Sequence, residues 1–79
     1  MIKILWADDE IDLLKSHIIY LEEKGCVFTP AKSGDEALDL LESNSFDLIF
    51  LDENMPGISG LETLSIIKER YSNIPVIMI

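Results

Sequence analysis

Three aspartates and one tight turn carry the chemistry this sequence could do. Asp8 and Asp9 follow the apolar run Ile2–Ala7, and Asp52 follows a second apolar run, Leu48–Leu51. If the two runs are neighbouring strands, their ends bring three carboxylates together. Like charges that close raise one another's pKa and destabilise the site unless a hard divalent cation neutralises them. The cation expected is Mg²⁺, which favours oxygen ligands and keeps several waters. After Asp52 comes Glu53-Asn54-Met55-Pro56-Gly57, in which Pro56 fixes φ and Gly57 permits a positive φ, so the chain must turn sharply. The Asn54 backbone carbonyl can then complete the metal's coordination while Asp52 keeps an oxygen free. A carboxylate beside Mg²⁺ is a competent nucleophile toward phosphorus.

Each feature has a plainer explanation to beat. An Asp-Asp pair alone commonly begins a helix, where it favours the dipole. The segment from Asp52 to Gly57 imitates the start of a calcium loop, but Pro56 offers no side-chain oxygen at the fifth position and Thr63 stands where a bidentate Glu is needed. An Asp-x-Asp phosphatase nucleophile of the haloacid-dehalogenase kind would require an acid at position 54, which is Asn. His17 sits at the margin of a helix stripe and reads as a boundary residue rather than a phosphodonor. Cys26 reads as a small core hydrophobe. Trp6 reads as core, close enough to Asp8 to report on it.

The elements that must hold the acids in place follow from periodicity. Ile2–Ala7 lacks alternation and fits a strand buried on both faces. Ile11, Leu14, Ile18 and Leu21 give the stripe of a first helix over Glu10 to Lys24, ended by Gly25. Cys26 to Thr29 is a second strand, stopped by Pro30. Ser33 and Glu36 have capping-box spacing before a helix with Ala37, Leu38 and Leu41 inward, ending at Asn44 or Ser45. Leu48–Leu51 is the third strand. Ser59 and Glu62 repeat the capping spacing before a third helix, with Leu61, Leu64, Ile67 and Tyr71 as its stripe. Pro75 to Ile79 is a fourth strand. This alternation predicts an α/β fold, a doubly wound parallel sheet in the order 2-1-3-4, with function at the carboxyl ends of the strands.

Composition narrows the partners. Six Lys and Arg against fifteen Asp and Glu give a net charge of −9, which repels nucleic acid and anionic membrane surfaces. The longest apolar runs are far too short to span a bilayer, and the amino terminus has no signal-peptide pattern. One cysteine among 79 residues cannot form an internal disulfide, so a cytoplasmic location is expected.

Asp8-Asp9-Glu10 after a hydrophobic strand, Asp47-Leu48-Ile49-Phe50-Leu51-Asp52, and Met55-Pro56-Gly57 with Gly60 resemble the response-regulator receiver domain of bacterial two-component systems. The resemblance spans the whole chain. Within that family, Ile4 to Glu10 and Leu51 to Gly57 most resemble PorX-type regulators, whose receiver precedes an alkaline-phosphatase-like PglZ domain. The resemblance implies a flavodoxin-like receiver fold, Asp52 as phosphoacceptor, and Mg²⁺ held by Asp8, Asp9, Asp52 and the Asn54 carbonyl. It further implies a sensor histidine kinase as donor and an attached output domain as partner. The family's hydroxyl residue and lysine would lie beyond Ile79. The chain is therefore expected to be one unit, residues 1–79, the N-terminal part of a receiver cut after its fourth strand, with an exposed sheet edge open to self-association. The competing expectation is a receiver-like metal-binding interaction module that transfers no phosphate. The repelling acid triad favours the phosphoacceptor.

Overall fold

A computed structural model describes all residues from Met1 to Ile79. Its strands are β1 (Ile2–Ala7), β2 (Cys26–Ala31), β3 (Leu48–Leu51) and β4 (Val76–Met78). Its helices are α1 (Lys15–Glu23), entered through a 3-10 turn at Ile11–Leu14, then α2 (Gly34–Ser43) and α3 (Gly60–Arg70). The strands form one parallel sheet in the order β2-β1-β3-β4, the expected doubly wound topology.

Alternate residues of the central strands face opposite layers, which explains their lack of polar alternation. Leu5, Ala7, Ile49 and Leu51 pack with Ala37 and Leu41 of α2 and Ile67 of α3. Ile4 and Trp6 pack with Ile11 and Phe28, and Leu14, Ile18 and Leu21 close over them. On this second face the Trp6 ring meets Phe50 edge-on, with centroids 5.1 Å apart, and Phe28 at 5.6 Å. Trp6 is thus core, as read from the sequence. Its indole Nε1 is the one buried polar side-chain atom without a partner.

Four details differ from the sequence reading. The second strand continues through Pro30 to Ala31, since β2 is an edge strand and a missing N–H on its open side breaks no ladder bond. The first helix does not begin regularly at Glu10. Glu10 makes no side-chain cap, and the chain passes through the 3-10 turn before α1 starts at Lys15. Leu61 points outward and is 56% exposed, while Thr63 is fully buried with Ile67, so the buried stripe of α3 is rotated from the predicted one. Cys26 and His17 lie nearer the surface than predicted: Cys26 is half-buried and His17 exposed.

Exposed large apolar side chains are spread over the molecule: Leu13 (74%), Ile19 (57%) and Tyr20 (59%) at the 3-10 turn and α1, Leu61 on α3, and Ile77 (47%) and Ile79 (53%) at β4 and the residue after it. No helix is long and apolar enough to cross a membrane.

Candidate functional site

The carboxyl ends of β1 and β3 are neighbours, and the ladder fixes their register. Ala7 lies opposite Leu51, the Asp52 N–H donates to the Ala7 carbonyl at 2.9 Å, and the Asp8 N–H donates to the Ala31 carbonyl at 2.9 Å. Asp8 and Asp52 therefore leave the sheet side by side, as the order 2-1-3-4 requires. Asp8, Asp9 and Asp52 each offer a carboxylate oxygen, all within 4.8 Å of one another. Asp8 and Asp52 are half-buried and Asp9 is exposed.

Local bonds from the backbone reach two of the three carboxylates. The Glu10 N–H donates to Asp8 Oδ1 at 2.9 Å, closing a tight turn. The Asn54 N–H donates to Asp52 Oδ1 at 3.4 Å. Asn54 itself lies in the exposed loop that follows, where Gly57 adopts the positive φ of 79° anticipated for the turn. The loop then feeds α3 through a full capping box: the Glu62 N–H donates to Ser59 Oγ at 3.1 Å, and the Ser59 N–H donates to Glu62 Oε1 at 3.2 Å.

The electrostatics are those of an unbalanced anionic cluster. Burial pushes the Asp8 carboxyl above its ordinary range, and the charges of Asp52 and Asp9, with a hydrogen bond to Asp52, push it the same way. The Glu10 N–H opposes them. The single ion pair of the molecule joins Lys32 to Asp12 at 3.1 Å, so no basic side chain is paired with the three acids. A hard divalent cation suits this donor set: several anionic oxygens, no nitrogen or sulfur ligand, and open access to water from the Asp9 side.

Two glycines escaped the sequence reading as site residues. Gly60 is buried at the first position of α3, against the backbone of Asp52 and Glu53, and its N–H donates to the Glu53 carbonyl at 2.9 Å. Gly34, buried at the first position of α2, abuts Thr63 and Ile58. The available signal was the repeated Ser-Gly pair at both capping sites, Ser33-Gly34 and Ser59-Gly60, since the cap itself asks for no glycine at the position after the serine. His17, exposed on α1, takes no part in the acid cluster.

Comparison with known proteins places the chain in a family and a fold. The family model described as Response regulator receiver domain matches residues 4–79. Over 79 residues the chain is 40% identical to the transcriptional regulatory protein CpxR homolog of Haemophilus influenzae, covering 100% of this chain and 34% of that protein. Among solved structures, the response regulator TrrA of Thermotoga maritima in complex with Mg²⁺-BeF superposes with a TM-score of 0.90 at 37% identity, covering 99% of this chain and 68% of that one. TrrA in complex with the histidine kinase ThkA superposes with a TM-score of 0.89 at 37% identity, covering 99% and 67%. The chain spans about a third or less of the length of the curated relatives it matches first.

Proposed function

The chain belongs to the response regulator receiver domain family, and from that premise we propose that it accepts a phosphoryl group on Asp52 from a sensor histidine kinase in a Mg²⁺-dependent reaction. The observation that carries the proposal is the meeting of Asp8, Asp9 and Asp52 within 4.8 Å at two adjacent strand ends, without a paired basic side chain.

Each residue then has a separate task. Asp8, Asp9, one oxygen of Asp52 and the Asn54 backbone carbonyl would hold Mg²⁺, weakly enough to need millimolar metal because the site keeps its waters. The bound metal would neutralise charge on the phosphoryl oxygens. The free Asp52 oxygen attacks phosphorus, the bond from phosphorus to the donor histidine breaks, and the imidazole leaves. Asp8 and Asp9 keep the site too anionic for a phosphoryl group to enter unless metal enters too. The Asn54 N–H steadies the Asp52 oxygen that does not react. In this reading the chain is a substrate of the transfer and the switch for an output domain, rather than an enzyme that turns over. TrrA, solved with Mg²⁺-BeF and with ThkA, supports both the metal and the kinase as partners by similarity.

The setting we propose is the cytoplasm, with the output domain in the same polypeptide. The wording of Ile4 to Glu10 and Leu51 to Gly57 supports a PorX-type arrangement, in which that domain is alkaline-phosphatase-like; sequencing the parent gene downstream of Ile79 tests it. The test of the central proposal is incubation with Mg²⁺ and a small acyl phosphate, followed by borohydride trapping and mass spectrometry. The label is expected on Asp52. A label on Glu53 or His17 would overturn the assignment, and Mg²⁺ binding with no label anywhere would favour a metal-binding interaction module.

A further inference from the structure

The backbone of Asp52 touches the first turn of α3 closely enough for side-chain size there to matter. A Cβ built on Gly60 would overlap the Asp52 carbonyl oxygen and lie 2.6 Å from Glu53 Cα and 3.0 Å from the Asp52 carbonyl carbon. These are backbone atoms, which cannot rotate aside as the end of a flexible side chain can. The same turn is clamped from its other side. Thr63, fully buried, donates its Oγ1 hydrogen to the Ser59 carbonyl at 2.8 Å, and a Cβ on Gly34 of α2 would overlap that Oγ1 and approach Ile58 Cγ1 to 2.8 Å. The first turn of α3 is therefore wedged between the start of α2 and the peptide that carries Asp52. Neither glycine has a positive φ, so chain conformation does not account for them.

We propose that Gly60 is a positioning residue for Asp52: the absence of its side chain sets how far the end of β3 stands from Asp8, and Gly34 acts on the same turn through Thr63. The inference rests on the reading of Asp8, Asp9 and Asp52 as a metal and phosphoacceptor site. Asp52 is tied to β1 through its own N–H, so an added methyl at Gly60 must displace either α3 or Asp52. A tilted α3 would show in the fold. A displaced Asp52 would open the acid cluster and weaken metal binding while the rest of the chain stays folded.

The experiment is a Mg²⁺ titration read by Trp6 fluorescence, with circular dichroism and thermal melting of the metal-free protein alongside. The variants are Gly60→Ala, Gly34→Ala, Asp52→Asn and Gly25→Ala. Gly25 has a φ of 100° with nothing within 4 Å of its added Cβ, so Gly25→Ala strains the backbone far from the acids and controls for stability loss alone. Gly60→Ala should bind Mg²⁺ about tenfold more weakly, the size of effect seen when a residue supporting a metal ligand is lost. Gly34→Ala should weaken binding in the same direction, and restoring room with Thr63→Ala should recover part of it. Gly25→Ala should melt earlier yet bind as the wild type does. If Gly60→Ala does not fold, the Gly34→Ala and Thr63→Ala pair decides. Wild-type Mg²⁺ affinity in folded Gly60→Ala, or in folded Gly34→Ala where only that variant folds, overturns the inference while leaving the acid site standing. Absence of any wild-type response, or an unaltered response in Asp52→Asn, removes the reading of the site and the inference with it.

Discussion

Replacing Asp8 by Asn should make the metal-free protein more stable at neutral pH, although Asp8 sits at the centre of the candidate site. Asp8 has both burial and the charges of Asp52 and Asp9 working against its ionised form. At the 4.8 Å limit of the cluster, one pair of unit charges repels by about 1 kcal/mol in a water-like dielectric and about 3 kcal/mol at an effective dielectric of 20. The site is open to water on the Asp9 side, so the lower figure governs, and a net gain of about 1–2 kcal/mol is expected. Asparagine keeps the Oδ1 that accepts the Glu10 N–H at 2.9 Å, so the turn is not sacrificed. For a chain of this size each kcal/mol of that gain corresponds to a melting temperature about 4–8 °C higher.

The pH dependence has a definite sign. A carboxyl whose pKa is raised in the folded state binds its proton more tightly there than in the unfolded chain, so the native protein is penalised at high pH and relieved at low pH. The penalty is fully present above the raised value and disappears as pH falls below the ordinary carboxylate range. The advantage of Asp8→Asn should therefore be largest near neutrality and vanish below about pH 3. Mg²⁺ should narrow or reverse the order: at ten times its dissociation constant, metal adds about 1.4 kcal/mol to the wild type and less to the variant. Thermal melts in chelator and in Mg²⁺ across this pH range give the result. An Asp8→Asn protein that melts at or below the wild-type temperature in chelator at neutral pH would refute the claim that these acids repel.

Ser59→Ala removes the acceptor of the Glu62 N–H and half of the capping box, and should lower stability by about 1 kcal/mol, or a melting temperature about 4–8 °C lower; an unchanged melt would mean the box adds nothing. Exposed Ile77 and Ile79 and the unpaired outer edge of β4 should drive self-association. Light scattering should then give a mass that rises with concentration, whereas a constant monomer mass with a cooperative melt would contradict this.

The parts of the fold legible in the sequence are those set by local pattern. Leu48–Leu51 lies between two aspartates with no polar residue inside it, and β3 has those bounds because both its faces are covered. The capping pairs Ser33 with Glu36 and Ser59 with Glu62 placed the starts of α2 and α3. What could not be read depends on the neighbours of each residue. Pro30 stops a strand only if its N–H is needed, and at an open edge it is not. Periodicity puts Leu61 on the buried stripe of α3, yet the close approach of α2 at Gly34 favours the smaller Thr63 inside, with its hydroxyl returned to the Ser59 carbonyl. Gly60 belongs to the motif behind the family resemblance, but the packing reason for it lies across the turn, in the Asp52 carbonyl, and no local pattern shows it.

The acid cluster was legible for a different reason: it works against stability. Asp8 and Asp52 hang from adjacent strands whose ends are pinned by the Asp8 N–H to Ala31 and the Asp52 N–H to Ala7 bonds. The backbone therefore cannot splay to relieve their repulsion without breaking the ladder, and an unpaired buried backbone group costs about 1–3 kcal/mol, as much as the repulsion itself. Side-chain rotation offers little, since Asp8 Oδ1 is held by Glu10 and Asp52 Oδ1 by Asn54. A rigid frame that forces like charges together leaves three ways out: a proton, a cation, or loss of an acid by substitution. At neutral pH the proton is scarce, and the sequence retains all three acids. The proposed function takes the second way out, a cation held by the three carboxylates with an oxygen of Asp52 beside it to attack phosphorus.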